Sequence, residues 1–115
     1  MELTITRPSD DCAILHLKGK FTLEHIQDFK NKSTPTIKNT LKTIFIDFSN
    51  VVFIDSSGIG VLILFMNSAK NLKINFILYN LNKDVLTLFK TANIDKFFSI
   101  STSFKLKKIY PGIPF

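Results

Sequence analysis

Residues 54–60, Ile54-Asp55-Ser56-Ser57-Gly58-Ile59-Gly60, set a carboxylate, two hydroxyls and two glycines between one apolar run and another. Upstream, Thr43 to Phe48 is nearly all apolar, as expected of a central strand covered on both faces, and Val51-Val52-Phe53-Ile54 carries the run up to the turn. Downstream, Ile59, Leu62, Ile63 and Met66 recur at i, i+3, i+4 and i+7, which defines one face of a helix. Val61, Leu64 and Phe65 cover a second face, so this helix must be flanked on both sides or lend one face to a partner. The stretch reads as a strand-to-helix turn with its polar groups displayed at the helix N-terminus.

The flanking chain supplies a scaffold for that turn. Leu3-Thr4-Ile5-Thr6 alternates apolar and polar, and after the turn cluster Pro8-Ser9-Asp10-Asp11 the alternation resumes from Cys12 to Lys18. These two segments predict an antiparallel hairpin stopped by Gly19. Thr22 is a natural N-cap for a helix with Glu24 in its first turn and Leu23, Ile26 and Phe29 on its buried stripe, ended near Pro35. Ile74 to Tyr79 reads as another buried strand, and Asn82 as the cap of a helix carrying Val85, Leu86 and Phe89. Asn93 suits a left-handed helix end, and Phe97 to Ile100 a last short strand. Ser103 to Ile109 fits strand and helix spacing alike, and Pro111 and Pro114 stop any regular element.

The order β-β-α-β-α-β-α-β, with no repeat or dividing linker, predicts one α/β domain over residues 1–115, its tail from about residue 103 outside the regular pattern. Strands alternating with helices imply right-handed crossovers and a mixed, mainly parallel sheet with the N-terminal hairpin antiparallel and the helices packed mostly on one side.

Composition narrows the function. Hydrophobic residues make up 45% and charged residues 21% of the 115, which excludes wholesale disorder. With twelve phenylalanines and no tryptophan, the core is expected to be built from Phe, Ile and Leu. The net charge is +6, but the lysines are spread along the chain and Arg7 is the one arginine, so no direct nucleic-acid contact is expected. Cys12 is alone and fits a reducing compartment. The longest apolar run, Ile59 to Met66, is far short of the ~20 residues that span a bilayer. These features together predict a cytoplasmic protein without a membrane span.

A helix opening near Ser56 or Ser57 leaves free N–H groups and a partial positive charge at its first turn. Asp55 or Ser56 would cap those groups, and Ser57 would then fall in the first turn, able to point outward. Gly58 and Gly60 keep local bulk low, so that another surface can approach. The turn is equally consistent with plain capping and with a phosphorylation site, where a phosphate would gain about 0.3–1 kcal/mol from the helix N-terminus. An enzyme is not expected. The turn lacks Gly-x-Ser-x-Gly, neither His16 nor His25 is placed to serve the serines, and neither a phosphate loop nor a metal-ligand cluster is present. No cofactor or metal is called for.

The run Ile46-Asp47-Phe48-Ser49-Asn50-Val51-Val52-Phe53-Ile54-Asp55-Ser56-Ser57-Gly58-Ile59-Gly60-Val61-Leu62 resembles the signature of STAS domains of the anti-sigma factor antagonist family. Gly19-Lys20-Phe21 resembles the family's glycine before the first helix. Asn93 to Phe98 resembles its late Gly-Leu segment, with Asn93 in place of the usual glycine. The resemblance implies a partner-switching protein that binds an anti-sigma factor, itself a serine kinase of the histidine-kinase-like ATPase type, and that is reset by a serine phosphatase. It implies Ser57 as the phosphate acceptor, with Ser56 the second choice. The docking surface it implies comprises Asp55, Ser56, Ser57, Gly58, Ile59, Gly60, Leu64 and Thr22, the last standing where many members carry an acid. The alternative is a non-switching STAS subunit of a transport or sensory complex, using the apolar helix as a permanent interface.

Overall fold

The computed structural model describes residues 1–115. Five strands and four α-helices follow one another as β1 (Glu2–Ser9), β2 (Cys12–Phe21), α1 (Ile26–Ser33), β3 (Thr43–Ile54), α2 (Ser56–Asn71), β4 (Asn75–Tyr79), α3 (Lys83–Thr91), β5 (Ser99–Ser101) and α4 (Ser103–Ile109). The strands form a single sheet in the order β1-β2-β3-β4-β5, with β1 antiparallel to β2 and the other pairs parallel. The mixed, mainly parallel α/β architecture is therefore as the sequence predicts.

Strand order explains where the helices lie. Each parallel strand is laid beside the previous one without a reversal, so crossovers of one hand all return over the same face. Phe29 of α1, Leu62 and Phe65 of α2, and Val85 and Phe89 of α3 accordingly share one core with Ala13, Leu15, Ile44, Ile46 and Leu78 from the sheet. Phenylalanines stitch these layers together: Phe21 to Phe29 at 4.9 Å, Phe29 to Phe65 at 5.6 Å and Phe65 to Phe76 at 5.5 Å between ring centroids. Such pairs each contribute roughly 0.5–1.5 kcal/mol beyond their buried area. Val61 and Phe65, on the second apolar face of α2, are buried in this same core, where the Phe65 ring meets Phe29 of α1; Leu64 on that face stays 60% exposed.

The opposite face is closed by the C-terminal segment. Leu106 of α4 packs on Cys12, Ile14, Phe45 and Tyr79, and Tyr110, Ile113 and Phe115 extend the cover. Phe45 meets the rings of Phe115 at 4.9 Å and Tyr110 at 5.2 Å. The ambiguous tail is thus helical, with Thr102 Oγ1 accepting from Lys105 N at 3.2 Å and Asn80 Oδ1 accepting from Ser103 N at 2.9 Å. Burial under Asp47's charge pushes the Tyr79 hydroxyl pKa well up.

Three local expectations change. The hairpin does not stop at Gly19: β2 continues to Phe21, with Gly19 at φ +103°, next to one of two register shifts between β2 and β3. Those shifts leave β3 at 12 residues against 10 in β2, so β3 carries two extra residues and is bulged. Asp47 Oδ1 accepts from both the backbone N and the hydroxyl of Ser49, stabilising the first irregularity, and joins the two apolar segments into one strand. Leu23 leaves the stripe and is exposed, because residues 23–25 form a 3-10 turn ahead of α1. The last strand begins at Ser99, since Asp95–Phe97 form another 3-10 turn.

Asn82 holds α3 to the sheet as well as capping it. Its Oδ1 accepts from Val85 N at 2.8 Å, and its Nδ2 donates to the Val51 carbonyl at 2.8 Å. Asn82→Ala removes the cap and strands that carbonyl, so a loss of roughly 2 kcal/mol is expected in denaturant unfolding. Asn82→Asp keeps the cap but not the donor, and falls between the two.

Candidate functional site

The turn after β3 is built around one carboxylate. Asp55 sits in extended conformation at the N-cap of α2, and its Oδ1 accepts from Gly58 N at 2.9 Å. Its Oδ2 accepts from Leu23 N at 3.1 Å, the first N–H of the 3-10 turn that leads into α1. One side chain therefore satisfies the N-termini of two helical segments that lie 32 residues apart in the chain. Thr22 does not perform the capping expected of it: its hydroxyl makes no cap bond and instead approaches Glu24 Oε1 at 3.4 Å. The physical reason is that the segment opens as a 3-10 turn, in which His25 N, the donor a capping hydroxyl would serve, goes to the Thr22 carbonyl at 2.9 Å.

The backbones of β2 and α2 meet at the same point. Asp55 N donates to the Phe21 carbonyl at 3.2 Å, and the first turn of α2 lies directly on that carbonyl. A Cβ on Gly58 would fall far inside contact distance of the Phe21 oxygen and within 2.9 Å of Ile54 Cγ1. Gly58 is thus a packing glycine, required by close approach. Gly60, two residues on and so nearly on the opposite face of α2, is exposed and has no neighbour within 4 Å of the position a Cβ would take. The two glycines serve different ends: the first closes the fold and the second keeps the surface low.

Asp55 takes all the capping work, so the serines are left to the surface. Ser56 is exposed and Ser57 half-buried, and neither hydroxyl is held by another group of the chain. Gly58 is buried, Ile59 packs against the core and Gly60 faces outward. Beside them, an open depression of about 770 Å³ is lined by Lys20, Thr22, Leu23, Val52, Phe53 and Asp55. Thr22, Asp55 and the serine turn are thereby brought together. Leu64 stands apart, about two turns along α2, on a groove shared with Lys30 and Ile37 beside α1.

Sequence reasoning missed the apolar rim of this site: Leu23, Val52 and Phe53 are all exposed. A signal was present, since four consecutive apolar residues from Val51 to Ile54 cannot all face the core of a strand. Neither histidine joins the serines. His16 Nδ1 pairs with Asp47 Oδ2 at 2.8 Å while its Nε2 meets Thr6 Oγ1 at 3.0 Å, a clamp across β1, β2 and β3. His25 lies beside the Met1 amine and Glu24. No helix is long and apolar enough to cross a membrane.

The hydrogen bond from Gly58 N holds the Asp55 pKa below its ordinary value of 3.8, with burial opposing it and the Leu23 bond assisting. A depressed native pKa makes the ionised carboxylate stabilising above 3.8, and that contribution is lost as pH falls through the lowered native value. The stability gap between the wild type and Asp55→Asn is accordingly expected to be widest near neutrality and to close in acid, as read by thermal melts across pH. Gly58→Ala is expected to cost about 1–3 kcal/mol through forced displacement of packed atoms. Gly60→Ala is expected to be neutral or stabilising by up to about 1 kcal/mol in the same unfolding assay.

Comparison with known proteins follows the same outline. Residues 4–110 match the STAS domain family. Among solved structures, the anti-sigma factor antagonist SpoIIAA in its unphosphorylated form is 19% identical, with a TM-score of 0.78 over 99% of this chain and 100% of that one. The Bacillus cell fate determinant SpoIIAA in the phosphorylated form is 17% identical, with a TM-score of 0.71 over 94% and 98% of the two chains. An anti-sigma-factor antagonist (STAS) domain protein from Planctomyces limnophilus is 13% identical, with a TM-score of 0.78 over 88% and 90%. At such identities the structural likeness is one of fold. The family match runs through nearly the whole length, and the chain belongs to the STAS domain family.

Proposed function

We propose that this protein is an anti-sigma factor antagonist of a partner-switching pathway, docking on a serine kinase that is also an anti-sigma factor and controlled by reversible phosphorylation of Ser57. The observation that carries the reading is the pairing of two unengaged serine hydroxyls at a capped helix N-terminus with an exposed apolar rim formed by Leu23, Val52 and Phe53. Apolar anchors supply affinity, and a hydroxyl at their edge supplies control. A phosphate on Ser57 would bring about −1.5 to −2 charges beside the ionised Asp55, at the edge of the surface a partner must cover. That charge opposes docking unless the partner offers cations there, so the unmodified form binds and the modified form is released. Gly60 keeps the approach to Ser57 and Ser56 open. A solved relative described in its phosphorylated form supports a modification on this fold.

The alternative, a permanent subunit of a transport or sensory complex, draws on Leu64, exposed in the middle of α2 and remote from the serines. The two readings separate by charge. Incubation with an anti-sigma-type serine kinase and ATP is expected to add one phosphate by intact mass, lost in Ser57→Ala and retained in Ser56→Ala. Ser57→Asp is expected to weaken kinase binding by about tenfold or more, the scale of a like-charge clash in an interface. Normal phosphorylation of Ser57→Ala would overturn the assignment of the acceptor, and partner binding indifferent to Ser57→Asp would favour the permanent subunit.

A further inference from the structure

On the face of the sheet opposite α2, the C-terminal helix exposes a combination that the proposed switch does not use. Leu106 points α4 into the sheet, and the residues turned away from it are Phe104, 70% exposed, and Lys108, with Lys105 and Lys107 on either flank. Lys108 Nζ stands 4.3 Å from the centroid of the Phe104 ring, one turn away. Ile109 is 65% exposed and borders a groove of about 360 Å³ that runs down to Ile77 and Ile100, with Lys70 on its wall. No acidic residue occurs after Asp95, so Lys96, Lys105, Lys107 and Lys108 are uncompensated within this stretch.

We infer that α4 is a docking surface for an anionic lipid bilayer, which the helix meets side-on with Phe104 inserted and Lys105, Lys107 and Lys108 around it at headgroup level. Charge complementarity selects an anionic partner, since three lysines surround Phe104 and no carboxylate of α4 interrupts them. The exposed Phe104 ring then distinguishes a bilayer from other polyanions. Nucleic acid would be met by arginine and by several stacked rings, whereas the single ring of Phe104 stands among flexible lysine stems that can extend toward headgroups while their methylenes stay apolar. With so short a helix, binding is reversible and peripheral, and strongest at low ionic strength. The inference is independent of the serine turn, which lies at the other end of the fold's logic: it neither needs Ser57 phosphorylation nor alters its chemistry.

Co-sedimentation of the full chain tests this, using vesicles of phosphatidylcholine alone and of phosphatidylcholine mixed equally with phosphatidylglycerol. Pelleting is expected with the anionic vesicles only, and is expected to fall as salt is raised. Replacing Lys105, Lys107 and Lys108 together by Gln is expected to lower partitioning roughly a hundredfold, about fivefold for each lysine near the surface. Phe104→Ser is expected to lower it by about tenfold or more, while Ile109→Ser, on the sheet-facing side of α4, is expected to leave it unchanged. Leu106 is left intact in all of these variants, and unchanged melting curves establish that they fold. Absence of binding to the anionic vesicles would overturn the inference. So would a Phe104→Ser variant that binds the vesicles as well as the wild type, or tighter binding of single-stranded RNA or an acidic peptide than of the anionic vesicles, either of which would leave the lysines as a surface for a different polyanion.

Discussion

A single carboxylate joins the parts of this fold that carry its chemistry. Asp55 accepts one N–H from the start of α2 and one from the turn that opens α1, while its own N–H is taken by the last carbonyl of β2. Two stretches distant in sequence, the junction of β2 with the turn before α1 and the start of α2, are pinned within one residue's reach. The pin works only because Gly58 lacks a side chain, which lets α2 settle on the Phe21 carbonyl. With the cap supplied by Asp55, the two serines that follow have no structural duty. A hydroxyl relieved of holding the helix is a hydroxyl that a partner can modify.

The sheet's winding has a comparable reach. Because the strands are laid down in sequential order, α1, α2 and α3 are confined to one face, and the phenylalanines between them form that side's core. The other face then needs separate cover, which comes from the segment after β5. The last residues supply it with Leu106, Tyr110, Ile113 and Phe115 packed on Phe45 and Tyr79. Covering that face turns the opposite side of α4 to solvent, lysines and Phe104 together. The bilayer-facing surface is thus a by-product of completing the sheet, available for use because nothing else in the fold occupies it.

Most of the architecture could be read from periodicity. Strand alternation, the helical spacing from Ile59, the Asn82 cap and the left-handed Asn93 all stand where local chemistry places them, the last at φ +57°. The misreadings share one cause. Neighbours in sequence do not settle Gly19, Leu23 and Thr22, because the end of β2 runs into a 3-10 turn packed against β3 and the turn after it. Gly19 sits by a bulge that exists only in the pairing of β2 with β3, Leu23 lies in a 3-10 turn whose first N–H is held by Asp55, and Thr22 opens that turn with its carbonyl while its hydroxyl stays free of the cap. The tail was undecidable locally because Phe104, Leu106, Ile109 and Tyr110 satisfy two periods. Contact with Cys12, Ile14 and Phe45 selects the helix.

From its own residues, then, the chain determined the element order, the parallel sheet and the position of the serine turn, since these follow from short-range spacing and the needs of helix ends. Tertiary structure alone decided that Asp55 serves two helices, that Gly58 is a packing residue while Gly60 is a surface one, and that Val52 and Phe53 lie outside the core. The division has a physical origin. Hydrogen bonding within a turn is encoded by neighbours, whereas exposure and close approach depend on what another part of the chain brings to the same place.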